Sequence, residues 1–379
     1  YTEDELIDGK SPDSGHPVEW LEEDSYFFKL SEFGERLLAH YRDNPDFIQP
    51  ASRRNEVMAF VEGGLLDLSV SRSSFDWGIP VPGDDKHIMY VWIDALTNYL
   101  SSLGWPESSD WQDYFENATH IIGKDILRFH AVYWPAMLMA AGQPLPKRIF
   151  AHGFLVVDGQ KMSKSKGNVV DPEKMIQKYG RDQFRYFLMR EITLGQDGSF
   201  SEEALVRRTN SELANDLGNL CQRVLSMVYK NCDGIVPEFE REYGNFSKED
   251  EAFMGQFNQE LIDGFVQDIE ALNYQNALGR VWHVIRLANQ YMDKQQPWVL
   301  KKEDPAQMAH VLRVLMEGLC SISLLVEPFV PEAAHKMQEQ LGFTGKSFKD
   351  LSADVKLTSG AKIDKPEGIF MRLDTPEAA

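Results

Sequence analysis

The chain has 379 residues, which at roughly 150 residues per domain gives room for two or three domains. Hydrophobic residues make up 43% and charged residues 26%, with 22 Phe, 8 Trp and 13 Tyr, and that excludes disorder throughout. Its net charge of −20 excludes the broad basic field of a nonspecific nucleic-acid binder but not a local basic groove.

Cys221, Cys232 and Cys320 are too few and too scattered for a disulfide framework or a Cys-based zinc site, and a reducing, cytoplasmic setting is expected. With no run of about 18 apolar residues, no membrane-spanning helix is expected. Tyr1 follows neither a Met nor a leader, and the opening segment is expected to continue an N-terminal part.

In chain order, Leu30, Phe33, Leu37, Leu38 and Tyr41 have helical spacing over Leu30–Arg42. His87–Ile93 (HIMYVWI) is a continuous apolar run that predicts a strand buried on both faces of a parallel sheet, with a helix from Ala95 to Leu103. THIIG predicts a second strand, ILRFHAVYWPAMLMAAG a buried helix ending at Gly142, and RIFAHGFLVV a third strand-rich stretch. Strand, helix and strand in this order predict a parallel α/β sheet.

Beyond Gly159 the chain turns polar and basic. Asp171-Pro172 is a helix start, with Asp as N-cap and Pro in the first turn. Helices are expected over Pro172–Lys178 and Asp182–Arg190. A bundle of Leu205–Tyr229, Lys248–Ile269, Tyr274–Lys294, Pro305–Leu325 and Pro331–Leu341 follows, with short strand-like pieces in the last 35 or so residues.

The strongest chemical signal is Lys161-Met162-Ser163-Lys164-Ser165, continued by Lys166-Gly167-Asn168. Ammonium groups on a flexible loop neutralise charge that builds on a departing pyrophosphate, and hydroxyls and loop N–H groups can cradle the same oxygens. A solvated basic turn is the bland alternative. The loop's place, after an apolar strand and before a helix start, is where an α/β site loop belongs.

KMSKS is the second signature of class I aminoacyl-tRNA synthetases, and HGFLVVDGQKMSKSKGNVVDP, YVWIDALTNYL and HIIGKDILRFHAVYWPAML together resemble the methionyl-tRNA synthetase family over nearly the whole chain. That resemblance implies an α/β fold: the second part of a Rossmann-like parallel-sheet catalytic domain, followed by an α-helical anticodon-binding bundle. It implies the end of a connective insertion over residues 1–87, the catalytic half over 88–158, the signature loop and stem-contact region over 159–208, the bundle over 209–345 and a tail over 346–379. The implied activity joins methionine to tRNA(Met) through methionyl-adenylate, releasing pyrophosphate and AMP.

The resemblance also implies roles for single residues. Trp92, Ala95, Leu96 and Tyr99, with Ile126, Phe129, His130 and Trp134 on one face of the next helix, would hold methionine. An aromatic slot suits a thioether. Gly123 and Asp125 would contact the ribose of ATP, although Asp125 as a plain helix N-cap fits its position equally. His152 and Gly153 would line the nucleotide site, and backbone near Leu155 would read the adenine edge. Lys161, Met162, Ser163, Lys164 and Ser165 would meet the phosphates, and Arg72 would border the site. Asn219, Arg223 and Trp298 would read the CAU anticodon by stacking and edge hydrogen bonds, with Arg207 and Arg208 near the tRNA corner.

Mg²⁺ is expected only with the phosphates of ATP, no zinc in this chain, and a monomer. The family's first signature, of His-x-Gly-His type, matches none of the nine histidines. It is expected N-terminal to Tyr1, and this chain alone is expected to be incomplete for catalysis. A cysteine or leucine enzyme of the same class, and a noncatalytic tRNA-binding protein, are the competing readings.

Overall fold

The computed structural model describes residues 6, 8–11, 16–18, 23–157, 159–162, 167–238, 247–351 and 357–374. Two compact units divide the chain, Tyr1–His152 and Gly153–Ala379.

The first unit is built on a three-stranded parallel sheet. Arg148–His152 lies in the middle, with Ile48–Gln49 on one side and Thr119–Gly123 on the other. The connection from Thr119–Gly123 to Arg148–His152 runs through the helical segment that the ILRFH stretch predicts, as parallel pairing requires. That segment is not one regular helix. It opens as a 3₁₀ turn at Lys124–Ile126, passes through a π-helical stretch at Phe129–Tyr133 and ends as an α-helix at Trp134–Ala140. The helices Gly34–Asp43 and Ala51–Glu62 pack with it around Leu37, Tyr41, Ile48, Val57, Leu127, Ala131 and Ile149.

The expected strand HIMYVWI is a misreading. Only His87–Met89 is strand, the end of Asp84–Met89, and it lies in the middle of an antiparallel sheet between Ser71–Arg72 and Pro80–Val81. The chain leaves the strand at Tyr90, and the helix begins at Val91 and runs to Ser101. The apolar residues of that helix are shared between a packed face (Leu96 and Leu100) and a half-buried one (Trp92 and Tyr99), so the run looks uniform in sequence.

In the second unit, Leu155–Val157 pairs antiparallel with Gln160–Lys161 and parallel with Gly198–Ser199. RIFAHGFLVV therefore supplies strands to two separate sheets. At the break, a Cβ on Gly153 would stand 2.3 Å from the Gln196 carbonyl, so only glycine passes there.

Asp171 caps the helix Pro172–Tyr179 as expected, its carboxylate accepting from the N–H groups of Glu173 and Lys174. Glu202–Arg208, the π-helical Thr209–Gly218 and Asn219–Asn231 then follow without a break. The expected helix Lys248–Ile269 is two, Lys248–Met254 and Gln259–Glu270, because Asn258 starts a new helix by accepting from the Leu261 N–H. Tyr274–Gln295, Pro297–Glu303, Pro305–Val326 and Pro331–Leu341 complete the bundle.

The short helix Pro297–Glu303 falls between two of the expected helices and was not among them. Proline at the first helical position starts a helix as readily as it stops one. The helix Pro305–Val326 is long and apolar enough to cross a membrane, against the expectation from the sequence. Every residue from Val311 to Val326 is buried, Arg313 and Glu317 among them, so it is the central core helix of this bundle. In place of the expected tail strands, the described residues of the tail show an isolated bridge, from Lys362 to Ile235.

Candidate functional site

In the first unit, Gly123 and His152 are the last residues of adjacent parallel strands and lie opposite each other in the register. The carboxyl ends of parallel strands are where α/β sheets hold ligands. A Cβ on Gly123 would meet the Asp125 carboxylate at 2.5 Å and the His152 ring at 4.0 Å. Gly123, Asp125 and His152 are thus gathered on one open face, with Asp125 exposed. The residue capping the following turn is Gly123, so Asp125 is not an N-cap.

The same unit holds an aromatic wall carried by the helix Val91–Ser101 and the π-helical stretch. Trp92 stacks on Phe129 with ring centroids 4.1 Å apart and 20° between planes. Trp92 meets His130 nearly perpendicularly at 6.0 Å, and the Tyr99 ring lies 5.7 Å from His130.

The hydrogen bonds fix the protons. His130 Nδ1 lies 3.0 Å from the Ile126 carbonyl, which can only accept, so Nδ1 carries the hydrogen. Nε2 is then the acceptor for the Tyr99 hydroxyl at 2.9 Å. Burial pulls the pKa of His130 down and that of Tyr99 up, so both are neutral.

The remaining expected methionine residues divide. Leu96 and Trp134 are buried in the cluster of Leu100, Trp111, Phe115 and Leu138 on which Trp92 and Tyr99 rest. Ala95 is exposed at the open edge. Ile126 packs with another core, around Leu37 and Ile149, and its carbonyl accepts from His130 Nδ1. Ile126, Phe129, His130 and Trp134 therefore do not share one face, because 3₁₀ and π turns break the 3.6-residue period.

Arg72 sits over the Tyr90 ring at 4.5 Å, donates to Ser69 Oγ at 2.8 Å and pairs with Glu23 at 3.6 Å. With Trp77, Val91 and Asp94 it lines a cavity of about 640 Å³.

In the second unit, the Phe154 N–H donates to the Asp197 carboxylate at 2.8 Å, and the Phe154 and Val156 carbonyls accept from Gly198 and Phe200 at 2.9 Å each. Leu155 itself packs against the cluster of Met175, Phe184 and Phe200. Lys161 is exposed, its ammonium 4.0 Å from the centre of the Phe154 ring. Met162 is half-buried. Asn168 donates to the Lys161 carbonyl at 3.3 Å and closes the base of the loop. Ser163, Lys164 and Ser165 lie outside the described residues.

In the bundle, Asn219 is exposed and Arg223 stands one turn further along the helix Asn219–Asn231. The Arg223 guanidinium lies 5.3 Å from the centre of the Trp298 ring, which is 43% exposed. Asp293 holds Arg223 at 3.0 Å. Arg208 is engaged by Glu191 at 2.6 Å and Glu212 at 2.9 Å, while Arg207 stays 70% exposed.

The family described as class I tRNA synthetases (M) matches residues 1–225, and the anticodon-binding domain of methionyl-tRNA ligase matches residues 241–379. The chain belongs to the methionyl branch of the class I aminoacyl-tRNA synthetases. The methionine–tRNA ligase of Brucella suis is 53% identical over 94% of this chain and 69% of its own length. That of Mycobacterium tuberculosis is 48% identical over 99% of this chain and 73% of its own. The Mycobacterium tuberculosis enzyme solved with methionyl-adenylate superposes with a TM-score of 0.92 at 49% identity, over 98% of this chain and 74% of that one.

Two residues around these sites had no role in the sequence reading. His120 packs behind Tyr99, and its one signal was a polar residue in the apolar THIIG strand. Asp293 lies 70 residues from Arg223, and no local pattern could have joined them.

Proposed function

We propose that the chain serves the methionine–tRNA ligase reaction. A methionine carboxylate oxygen attacks the α-phosphorus of ATP. The bond to the bridging oxygen of the β-phosphate breaks, and methionyl-adenylate and pyrophosphate form. The terminal ribose hydroxyl of tRNA(Met) then attacks the acyl carbon and AMP leaves. Neither step needs a protein nucleophile, so positioning and electrostatics do the catalytic work.

The observation that carries this reading is the aromatic wall of Trp92, Tyr99, Phe129 and His130 in the same unit as the Gly123–Asp125–His152 face. Trp92, Phe129 and Tyr99 offer ring surface to a thioether, worth about 0.3–1.5 kcal/mol per sulfur–aromatic contact. Ala95 leaves room at the edge, and Leu96, Ile126 and Trp134 hold the wall in place. The absence of a proton on His130 Nε2 makes Tyr99 the donor within the wall.

Gly123 admits the ribose, Asp125 accepts from its hydroxyls and His152 closes that side. Gly153 and the backbone around Leu155 serve the adenine, and Lys161, Met162, Ser163, Lys164 and Ser165 serve the phosphates. Asn219, Arg223 and Trp298 form a stacking surface for the unpaired bases of CAU.

Among the described residues no three His, Cys, Asp or Glu side chains converge as a metal site. A Mg²⁺ would arrive on the phosphates of ATP, where it would neutralise oxygen charge. The three free cysteines support a cytoplasmic setting, and a monomer is the simplest form.

Lys164→Ala in the full-length protein tests the loop. Methionine-dependent ATP–pyrophosphate exchange should fall about a hundredfold or more, with the methionine Kd within about threefold of wild type. Exchange that stays within a few-fold would show that the loop does not meet the leaving group.

A further inference from the structure

Behind the aromatic wall lies a histidine with no part in the reading above. His120, in the strand Thr119–Gly123, is 6% exposed. Its ring meets Tyr99 at 4.1 Å and 82°, an edge-to-face contact. It also meets Phe115 at 6.0 Å and lies 6.2 Å from His130. Tyr99 is therefore fixed at two places: its ring by His120 and its hydroxyl by His130 Nε2.

The Nε2 atom of His120 is buried and has no hydrogen-bond partner among the described residues. That nitrogen contributes no hydrogen bond among the described residues, so what His120 supplies to Tyr99 is its ring. Burial, and after it the nearby His130, pull the pKa of His120 down to about 4, so the ring brings no charge to the wall.

We propose that His120 is a positioning residue for methionine selection: its ring sets the rotation of Tyr99, and thereby the hydroxyl-to-Nε2 bond that holds His130 in one tautomer. It acts through Tyr99 and does not touch the substrate. Edge-to-face contacts are directional, so losing this one frees the Tyr99 ring to turn and blurs the shape of the slot. The inference rests on the reading of Trp92, Tyr99, Phe129 and His130 as the methionine slot.

The test is methionine-dependent ATP–pyrophosphate exchange in the full-length protein. His120→Ala should raise the KM for methionine about tenfold while kcat and the KM for ATP stay within about twofold. His120→Phe, which returns a ring to the same place, should bring the methionine KM back to within about threefold of wild type. A purely structural role would lower the amount of active enzyme, and with it kcat, without moving the KM. The proposal is overturned by an unchanged methionine KM in His120→Ala, by methionine and ATP KM values that rise together, or by a Phe variant as impaired as the Ala variant. Trp92→Ala and Tyr99→Phe keep the two readings apart. If neither moves the methionine KM, the slot itself is misplaced. If they raise it and His120→Ala does not, the slot stands and the positioning role falls.

Discussion

Burial decides the charge of the histidines behind the aromatic wall, and this has a measurable consequence. In the unfolded chain His120 takes up its proton near pH 6.5, whereas in the folded chain it does so only at about 4. Between those values the unfolded state holds a proton that the folded state lacks. Stability therefore falls as pH drops through that window and loses nothing more to this group below it. The loss is of order 2–4 kcal/mol over the window. His130, which faces His120 across Tyr99, is shifted in the same direction, so the measurement must isolate one ring. Urea midpoints from pH 7 to pH 4 should decline less steeply in His120→Phe than in wild type. Parallel declines would mean that His120 is already solvated and protonated in the native state.

The elements show which parts of the molecule were legible from the sequence. Where a helix has one buried stripe and a proline at its first position, the sequence reading comes within a residue or two, as for Pro172–Tyr179 and Pro331–Leu341. Asp171 is the clearest case, since a carboxylate ahead of Pro172 can satisfy the first N–H groups and little else. Asp171→Ala should cost about 1 kcal/mol, seen as a lower Tm with the α-helical spectrum retained at low temperature. A Tm unchanged within error would show that the cap adds nothing.

Errors arose where local signals were missing. Tyr90 turns a strand into a helix with neither Gly nor Pro, and with no capping side chain. The π-helical stretch at Phe129–Tyr133 has no residue pattern that distinguishes it from an α-helix. Its effect on the site is large, because it puts Ile126 and Trp134 in different cores. The residues of the wall were nameable from motif blocks. That Tyr99 and His130 are hydrogen-bonded, or that Asp293 steadies Arg223, follows only from packing between distant segments.

At the scale of the whole chain, the bundle in the second unit has an apolar core crossed by a buried ion pair. Arg313 and Glu317, one turn apart on the helix Pro305–Val326, are both 0% exposed and 3.0 Å apart. Arg313 also donates to the Pro237 and Leu357 carbonyls at 2.6 Å each and to Ser359 Oγ at 3.2 Å, while Glu317 accepts from the Leu357 N–H at 3.1 Å. The pair thus ties two segments remote in sequence, around Pro237 and around Leu357–Ser359, to the central helix. A buried pair of this kind adds little net stability over an apolar replacement, but breaking it strands a charge. Arg313→Met removes the cation that faces the Glu317 carboxylate at 3.0 Å and should cost about 3–5 kcal/mol. Adding Glu317→Gln removes that charge and keeps an oxygen for the Leu357 N–H. The double variant should therefore be more stable than the sum of the single losses predicts, by about 1–3 kcal/mol. Chemical denaturation of the four proteins gives this coupling directly. Losses that add to within about 0.5 kcal/mol would mean that the two side chains stabilise the bundle independently.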